Sequence, residues 1–452
     1  MTAALAVLFA AAQAWSVEIS TSPRPARLSE VVALVLARSP AVAEAASRAR
    51  EAEAGLSAAR HSRLPSLEAD AAATRGDNPV YVFSTLLEQR RFAGSDFSVG
   101  FLNYPGYMNN YQGQLKMVAP LFTAFETSSR EKMGSLALES ARSAEDSMRQ
   151  SLRMRATQEF LAVLASRMVL EELRLREASS EKEIREAKRL RAKGLVLGSD
   201  YYAALAILGG LKAWERRVEG DLSAAQKKLW LLAGAAAGEF APAGVLGSEP
   251  YPLPSSEALS EAAIRERGDS RRASLAEASA GVDRRRVQMS LLPKVGAFGT
   301  FETDTWNFQS GPSNRMVGLQ ASMPFGDPTY MSRLATARAA EEAARAARAK
   351  VEQNVRLEVE EAYERYQGLV GGLPAVRESS ADAERSLEMV RPLYRNGRQS
   401  VMEVLRAEDA SARGKAAWTQ LLEGVHSGYA QLLLIEGRLD EKAIAEIERR
   451  LQ

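Results

Sequence analysis

Cysteine is absent from the chain. That excludes disulfides, thiolate metal sites, cysteine nucleophiles and a lipid-modified N-terminal cysteine, and it suits an oxidising compartment where stray thiols are a liability. Histidine occurs only as His61 and His426, far apart in sequence, and each reads as a satisfied helix residue rather than a ligand. Charge of one sign is also lacking, with Lys+Arg 59 against Asp+Glu 57. There is thus no basic face of the kind nucleic-acid binders carry, and no nucleic-acid partner is expected. No apolar run approaches the roughly 18 residues of a membrane-spanning helix; Tyr201–Leu211 and Leu229–Ala237 are too short. No glycine-rich phosphate loop, zinc spacing or nucleophile elbow is found. The sequence therefore nominates no catalytic residue, no cofactor and no metal ligand, and no enzymatic activity is expected.

What the chain does have is length and long glycine-poor stretches of Ala, Arg, Glu and Leu. Its 452 residues would ordinarily suggest about three domains, but this composition belongs to extended helices lying side by side. Residues Met1–Ala14 are apolar and end in Ala12-Gln13-Ala14, a signal-peptidase-like site without the usual positive n-region. A signal peptide over 1–14 is expected, with Trp15–Arg27, bearing Pro23 and Pro25, as an extended mature N-terminus.

The second half repeats the plan of the first. A short apolar helix, Leu28–Arg38, breaks at Ser39-Pro40, and an Ala/Glu/Arg-rich helix follows to Leu64-Pro65. The later counterparts are Ala258–Arg267, a break at Gly268-Asp269, a helix, and Leu292-Pro293. Ala119-Pro120-Leu121-Phe122 and Met323-Pro324-Phe325-Gly326 each open a very long helix, ending at Lys193-Gly194 and Asn396-Gly397. A second helix then runs to Gly234 or Gly437, and the interval Gly194 to Gly234 equals Gly397 to Gly437. A proline-rich linker, with Pro242, Pro250, Pro252 and Pro254, separates a first repeat (15–256) from a second (257–452). Thr123–Lys193 as one helix would extend for on the order of 100 Å at 1.5 Å per residue, and a helix so long must pack against neighbours. Gly194 and Gly397 suit the left-handed backbone of a helix end. Asp200, after Ser199, and Glu403 place negative charge at the next N-terminus.

Between the helices the period changes from 3.6 to 2. Leu67, Ala69, Ala71 and Ala73 alternate with polar residues in Ser66–Thr74, as do Tyr111, Leu115 and Met117 in Asn109–Ala119. Val317, Leu319, Ala321 and Met323 do the same, and Val295, Ala297 and Phe301 do so less cleanly. Each segment has the length of a tilted membrane strand, about 10 residues, although a half-buried sheet in a soluble protein gives the same alternation. Four strands cannot close in lipid, because open edges leave backbone groups unpaired and bacterial barrels start at about eight strands. Three copies would supply twelve.

These landmarks resemble the TolC-like outer-membrane efflux protein family. The resemblance rests on "ARSPAVAEA…ARHSRLPSLEA" and "RERGDSRRA…MSLLPKVGA" opening the halves, and on "MVAPLF" and "SMPFG" before the long helices. "RAKGLVLGSDYYAA" and "YRNGRQSVMEVLRAE" stand at the hairpin turns, with "LLAG" near Gly234. It covers roughly residues 28–440. It implies a mainly α protein with a membrane β-barrel: a homotrimer whose twelve-stranded barrel, four strands per chain, sits in outer-membrane lipid and continues as a long periplasmic α-helical barrel. It implies a passive exit duct of a tripartite efflux or secretion system, served by an inner-membrane transporter and a periplasmic adaptor, the membrane fusion protein. The adaptor would meet the tip turns through Gly194, Leu195, Ser199, Asp200, Gly397, Ser400, Val401 and Glu403. Leu197 departs from the small polar residue common in the family's first repeat, which Ser400 keeps in the second, and Glu403 replaces a common Asp. The family narrows its tunnel with acidic side chains near the tip, and Glu388 falls closest to that position, followed by Glu384 and Asp382. The insert Asn78–Asn110, with its many aromatics, would lie at the extracellular mouth as interface girdles or a packed plug. The competing reading is a soluble periplasmic coiled-coil adaptor or structural protein, which gives no reason for four period-2 segments bracketed by Pro65, Pro120, Pro293 and Pro324.

Overall fold

The computed structural model describes residues 23–309 and 311–451. The expected signal peptide lies outside the described residues. In chain order the elements are β1 (Arg24–Ala26), α1 (Leu28–Arg38), α2 (Pro40–His61), β2 (Ser66–Gly76), α3 (Pro79–Glu88), a 3-10 turn (Gly94–Phe97) and α4 (Val99–Asn103). There follow β3 (Met108–Thr123), α5 (Glu126–Ala192), α6 (Gly198–Leu232), β4 (Phe240–Pro242), α7 (Ser256–Glu266) and α8 (Gly268–Met289). The chain ends with β5 (Lys294–Thr305), β6 (Ser313–Ser322), α9 (Tyr330–Arg395), α10 (Val401–Glu436) and α11 (Glu441–Arg449). The lengths echo between halves: α1 and α7 have 11 residues each, and α2 and α8 have 22 each. The long helices have 67 and 66, and their returning partners 35 and 36. No described helix is long and apolar enough to cross a membrane.

Contacts divide the chain into two compact units, each drawing on both repeats. One comprises Met1–Ala46, Ser143–Arg271 and Val351–Gln452; the other comprises Ser47–Arg142 and Arg272–Lys350. These compact units are a different division from the sequence repeats 15–256 and 257–452, since each unit takes segments from both halves of the chain.

The second unit holds a four-stranded antiparallel sheet in the order β2-β3-β5-β6. Its middle pair joins the two halves of the chain, with Leu115 opposite Phe301 and Val118 opposite Phe298. Leu67, Val317 and Leu319 lie on the sheet yet stay exposed, Val317 at 87%. Apolar strand residues without a core beneath them mark a sheet whose apolar face belongs to something outside the chain. The expected strands are present, but β3 is longer than expected. It runs through Pro120 to Thr123, with a register shift between Pro120 and Phe122. Proline cannot donate to a ladder, so the strand bulges there instead of ending. "MVAPLF" therefore finishes a strand, and α5 starts only at Glu126 after two non-glycine residues of positive φ, Ala124 (53°) and Phe125 (61°). The second junction uses Gly326 (73°) for its turn.

The 78–110 insert folds into α3, the 3-10 turn and α4 before β3 begins at Met108. Asn78 caps α3 by accepting from the Val80 and Tyr81 amides. Phe83, Phe92 and Phe97 meet edge to face at centroid distances of 5.1 Å, whereas Tyr104 and Tyr107 stay exposed. The aromatics thus divide between a small cluster and a free surface.

In the helical unit, β1 and β4 pair in parallel. One large core gathers Val31, Val35, Phe160, Leu164, Leu229, Tyr366, Leu422 and Ile444 from α1, α5, α6, α9, α10 and α11. The segment after β4 is sewn onto this core by side chains. Arg167 donates to the carbonyls of Pro242 and Gly244 at 2.8 and 3.0 Å, and the Trp230 indole donates to Phe240 O at 2.8 Å. Tyr251 stacks on Tyr429 with centroids 3.8 Å apart. His426 is wholly buried and both ring nitrogens are used: Nε2 with Gly247 O at 3.0 Å and Nδ1 with the Tyr251 hydroxyl at 2.6 Å. It is a structural histidine. Burial, partly opposed by the bond to Gly247 O, lowers its pKa to about 4.

A buried neutral histidine sets a pH dependence. Its folded pKa lies below the unfolded value near 6.5, so its contribution is complete above about pH 6.5 and is lost as pH falls toward 4. The loss is expected to reach about 3 kcal/mol. Melting of the wild type and of His426→Gln across that window should show the extra acid sensitivity in the wild type alone; parallel pH profiles would contradict it.

Candidate helical tip and the charge network behind it

Both long hairpins turn by the same device. At the first turn Gly194 takes φ +74°, with Leu195 N donating to Leu190 O at 3.0 Å and Gly194 N to Arg191 O at 2.9 Å. At the second, Gly397 takes φ +70°, with Arg398 N donating to Leu393 O at 2.8 Å and Gly397 N to Tyr394 O at 2.9 Å. This paired pattern closes a helix with a left-handed residue, a conformation glycine adopts without a Cβ penalty. Gly234 and Gly437 end the return helices with the same two bonds.

The two turns rest on one core. Ile184 and Ala187 of α5, Tyr201, Ala204 and Leu208 of α6, Tyr394 of α9, and Val401, Val404 and Leu405 of α10 form a single buried cluster. Arg191 lies over the rings of Tyr201 and Tyr202, 4.6 and 5.3 Å from their centroids. Beyond that core the turn offers apolar surface to solvent: Leu195 is 71% and Leu197 70% exposed, and Tyr202 is open as well. The second turn is polar, with Asn396, Gly397, Arg398 and Gln399 all exposed. Ser400 caps α10 by accepting from Glu403 N at 3.4 Å, whereas Leu197 provides no side-chain cap for α6. Glu403 accepts from Arg406 at 2.9 Å, and Ser199 donates to Asp200 at 3.4 Å.

One expected contact residue is corrected. Val401 is fully buried in the tip core and supports the turn from within. Leu197, Tyr202 and Arg398 are exposed where a contact was not assigned to them. The sequence signal for Leu197 was available, because an apolar residue at a helix N-cap gives up a hydrogen bond that Ser supplies.

Behind the tip, charged groups enter the helix interface. Arg176 of α5 is almost wholly buried and donates to Glu172 at 2.5 Å and to Glu384 of α9 at 2.7 Å, and lies 3.6 Å from Glu408 of α10. Arg391 of α9 donates to Glu408 at 2.6 Å and to Ser179 Oγ at 2.9 Å, and Ser179 donates to the same Glu408 oxygen at 2.7 Å. Ser411 donates to Glu384 at 2.6 Å. Burial opposes the charge on Glu384, but the Ser411 hydroxyl and the Arg176 guanidinium outweigh it and hold the carboxyl below its ordinary range. Charges buried this way are stable only while all partners remain.

This geometry distinguishes the three acidic residues expected at a constriction. Glu384 is committed to Arg176 and Ser411. Asp382 is exposed and pairs with Arg385 at 3.0 Å on its own helix. Glu388 is exposed, and among the described residues no hydrogen bond or ion pair holds it. Pro392, inside α9, lacks the amide that would bond the Glu388 carbonyl, and Pro374 does the same to Val370.

A free-edged antiparallel sheet in a chain that also carries two long helical hairpins defines the architecture of an outer-membrane channel extended by helices. The chain belongs to the outer membrane efflux protein family, whose model matches residues 31–235 and 259–438. It is an outer-membrane efflux channel that extends into the periplasm. The soluble-adaptor reading falls with that assignment. No curated protein sequence matches the chain significantly. Among solved structures, the Campylobacter jejuni CmeC outer membrane channel is 14% identical, covers 94% of this chain and 90% of its own, and superposes with a TM-score of 0.77. The open state of the Neisseria gonorrhoeae MtrE outer membrane channel is 17% identical over 92% of this chain and 90% of its own, also at 0.77. VceC from Vibrio cholerae is 17% identical over 91% of this chain and 96% of its own, at 0.75.

Removing one partner of the buried network strands the rest. Arg176→Ala is expected to destabilise the helical unit by about 3 kcal/mol or more, seen as a lower melting temperature by circular dichroism in detergent. An unchanged melt would mean that Glu384 and Glu408 do not need Arg176 to remain in the helix interface.

Proposed function

We propose that three copies of the chain pool their sheets into a twelve-stranded barrel in outer-membrane lipid, and that the duct ends at the tip turns, where a periplasmic adaptor linked to an inner-membrane transporter docks. The observation that carries the reading is the sheet itself: four strands, apolar residues exposed, and β2 and β6 each paired on one side only. In hydrocarbon each unpaired backbone group costs several kcal/mol, and only closure removes the edges. The repeat boundary at the 242–254 prolines fits the same plan, each half giving two strands of the four-stranded sheet and one long hairpin. Mass measurement in detergent should return a trimer; a stable monomer overturns the reading.

Exposed Leu195 and Leu197 beside the polar Gly397 turn form the adaptor surface, with Ser199, Asp200, Ser400 and Glu403 flanking it. Leu195→Glu with Leu197→Glu should abolish export while leaving membrane insertion and melting temperature unchanged. Val401→Asp should instead lower stability, because it buries a charge in the tip core. Normal export from the Leu195/Leu197 variant would remove the tip from the docking surface.

Glu388 is the acidic residue free to face a lumen, and copies of it gathered near one axis would attract cations and disfavour anions. Glu388→Ala in planar bilayers is expected to reduce cation preference and divalent block. Unchanged conductance and selectivity would place Glu388 on the outer face of its helix.

A further inference from the structure

The sheet end that carries the 78–110 insert gathers three carboxylates from opposite halves of the chain. Glu88 is the last residue of α3. Glu302 and Asp304 stand two apart on β5, and so on one face of the strand. One oxygen from each lies within 4.8 Å of the others. Asp304 is fully buried. Its Oδ1 accepts from Asn110 Nδ2 at 2.7 Å, but among the described residues no donor reaches its buried Oδ2.

The surroundings are built from amides rather than cations. Gln112 and Gln114, opposite Asp304 and Glu302 on β3, both donate to Glu302, at 2.5 and 3.2 Å. Gln89 donates to Asn110 Oδ1 at 2.9 Å and so fixes the amide that holds Asp304. The neighbouring arginines are turned to other tasks. Arg90 donates to Ser313 O at 3.2 Å, while Arg91 donates to Gln89 and lies over Trp306. Three acids at this separation repel one another, and the buried, donorless oxygen of Asp304 adds a desolvation cost.

We propose that Glu88, Glu302 and Asp304 bind a calcium ion that fastens the end of α3 to β5. The donors are all hard oxygens, the set that takes calcium or magnesium rather than zinc or copper. Calcium–oxygen distances of about 2.3–2.6 Å allow oxygens on one ion to lie up to about 5 Å apart, and the 4.8 Å limit here meets that. Three carboxylates on two different elements suit calcium's flexible coordination better than the strict octahedron of magnesium. The Asn110 and Gln112 amides orient the ligands, as outer-shell partners do at metal sites. The sequence could not show this site, because its ligands come from an insert helix in one half and a strand in the other. A proton shared between Glu302 and Asp304 is the arrangement that competes with the ion.

The test is calcium binding to the full-length protein purified in detergent and freed of metal, measured by equilibrium dialysis with calcium as the only divalent ion. One saturable site per chain is expected, with affinity at least about tenfold weaker in Glu88→Gln and in Asp304→Asn. Should Asp304→Asn fail to insert, Glu88→Gln carries the test alone, since it changes the insert helix and no strand. Magnesium in place of calcium should bind more weakly. Absence of saturable calcium binding, or binding undiminished in either folded variant, overturns the site and leaves the shared proton in its place. Magnesium binding as tight as calcium overturns the choice of ion.

Discussion

The structure depends on an unpaid hydrogen-bond debt. Four strands pair with one another along β2-β3-β5-β6 and leave two edges open. In water such edges are an aggregation hazard; in lipid they are intolerable, because nothing there can replace the missing donors and acceptors. A chain that places this sheet in a membrane must find strands beyond its own, and the exposed Val317, Leu319 and Leu67 show the surface prepared for lipid or neighbour. The middle pair, β3 with β5, already joins one half to the other inside a single chain.

The helical unit solves a different problem. Its helices are too long for any one core, so the interior is divided into separate clusters, with the largest around Phe160, Leu229 and Tyr366 and a smaller one at the tip around Val401 and Leu405. Between these lies the Arg176–Glu384–Glu408–Arg391 network. A buried ionic network contributes little net stability, yet it penalises any axial slip that separates its members. That suits helices whose Ala-rich sides offer few large side chains to fix their register.

Much of this was legible in the sequence because it is periodic. Helix lengths, four strands and the four glycine stops follow from patterns of 3.6 and 2 and from left-handed helix ends, each a local property. The misreadings have physical causes. Pro120 looked like a strand terminator, but a bulge accommodates it and β3 continues to Thr123. Val401 looked like a surface residue of a turn, but whether a residue beside a turn faces out or in is decided by the helices packed behind it. The roles of Glu384 and Glu388 differ because Arg176 and Ser411 approach one and not the other, and both come from distant segments. Partners separated by hundreds of residues leave no periodic trace.

The prolines of α9 give the two long helices unequal compliance. The two long hairpins of the chain can therefore differ in stiffness although their lengths nearly match. α5 keeps an unbroken ladder through its 67 residues, while α9 gives up two rungs, at Pro374 and at Pro392. Each proline removes one i to i−4 hydrogen bond where helices kink most readily, and the second lies one turn from Glu388. Elastic deformation near the tip therefore concentrates in the second repeat, with α5 as the rigid strut against which it flexes.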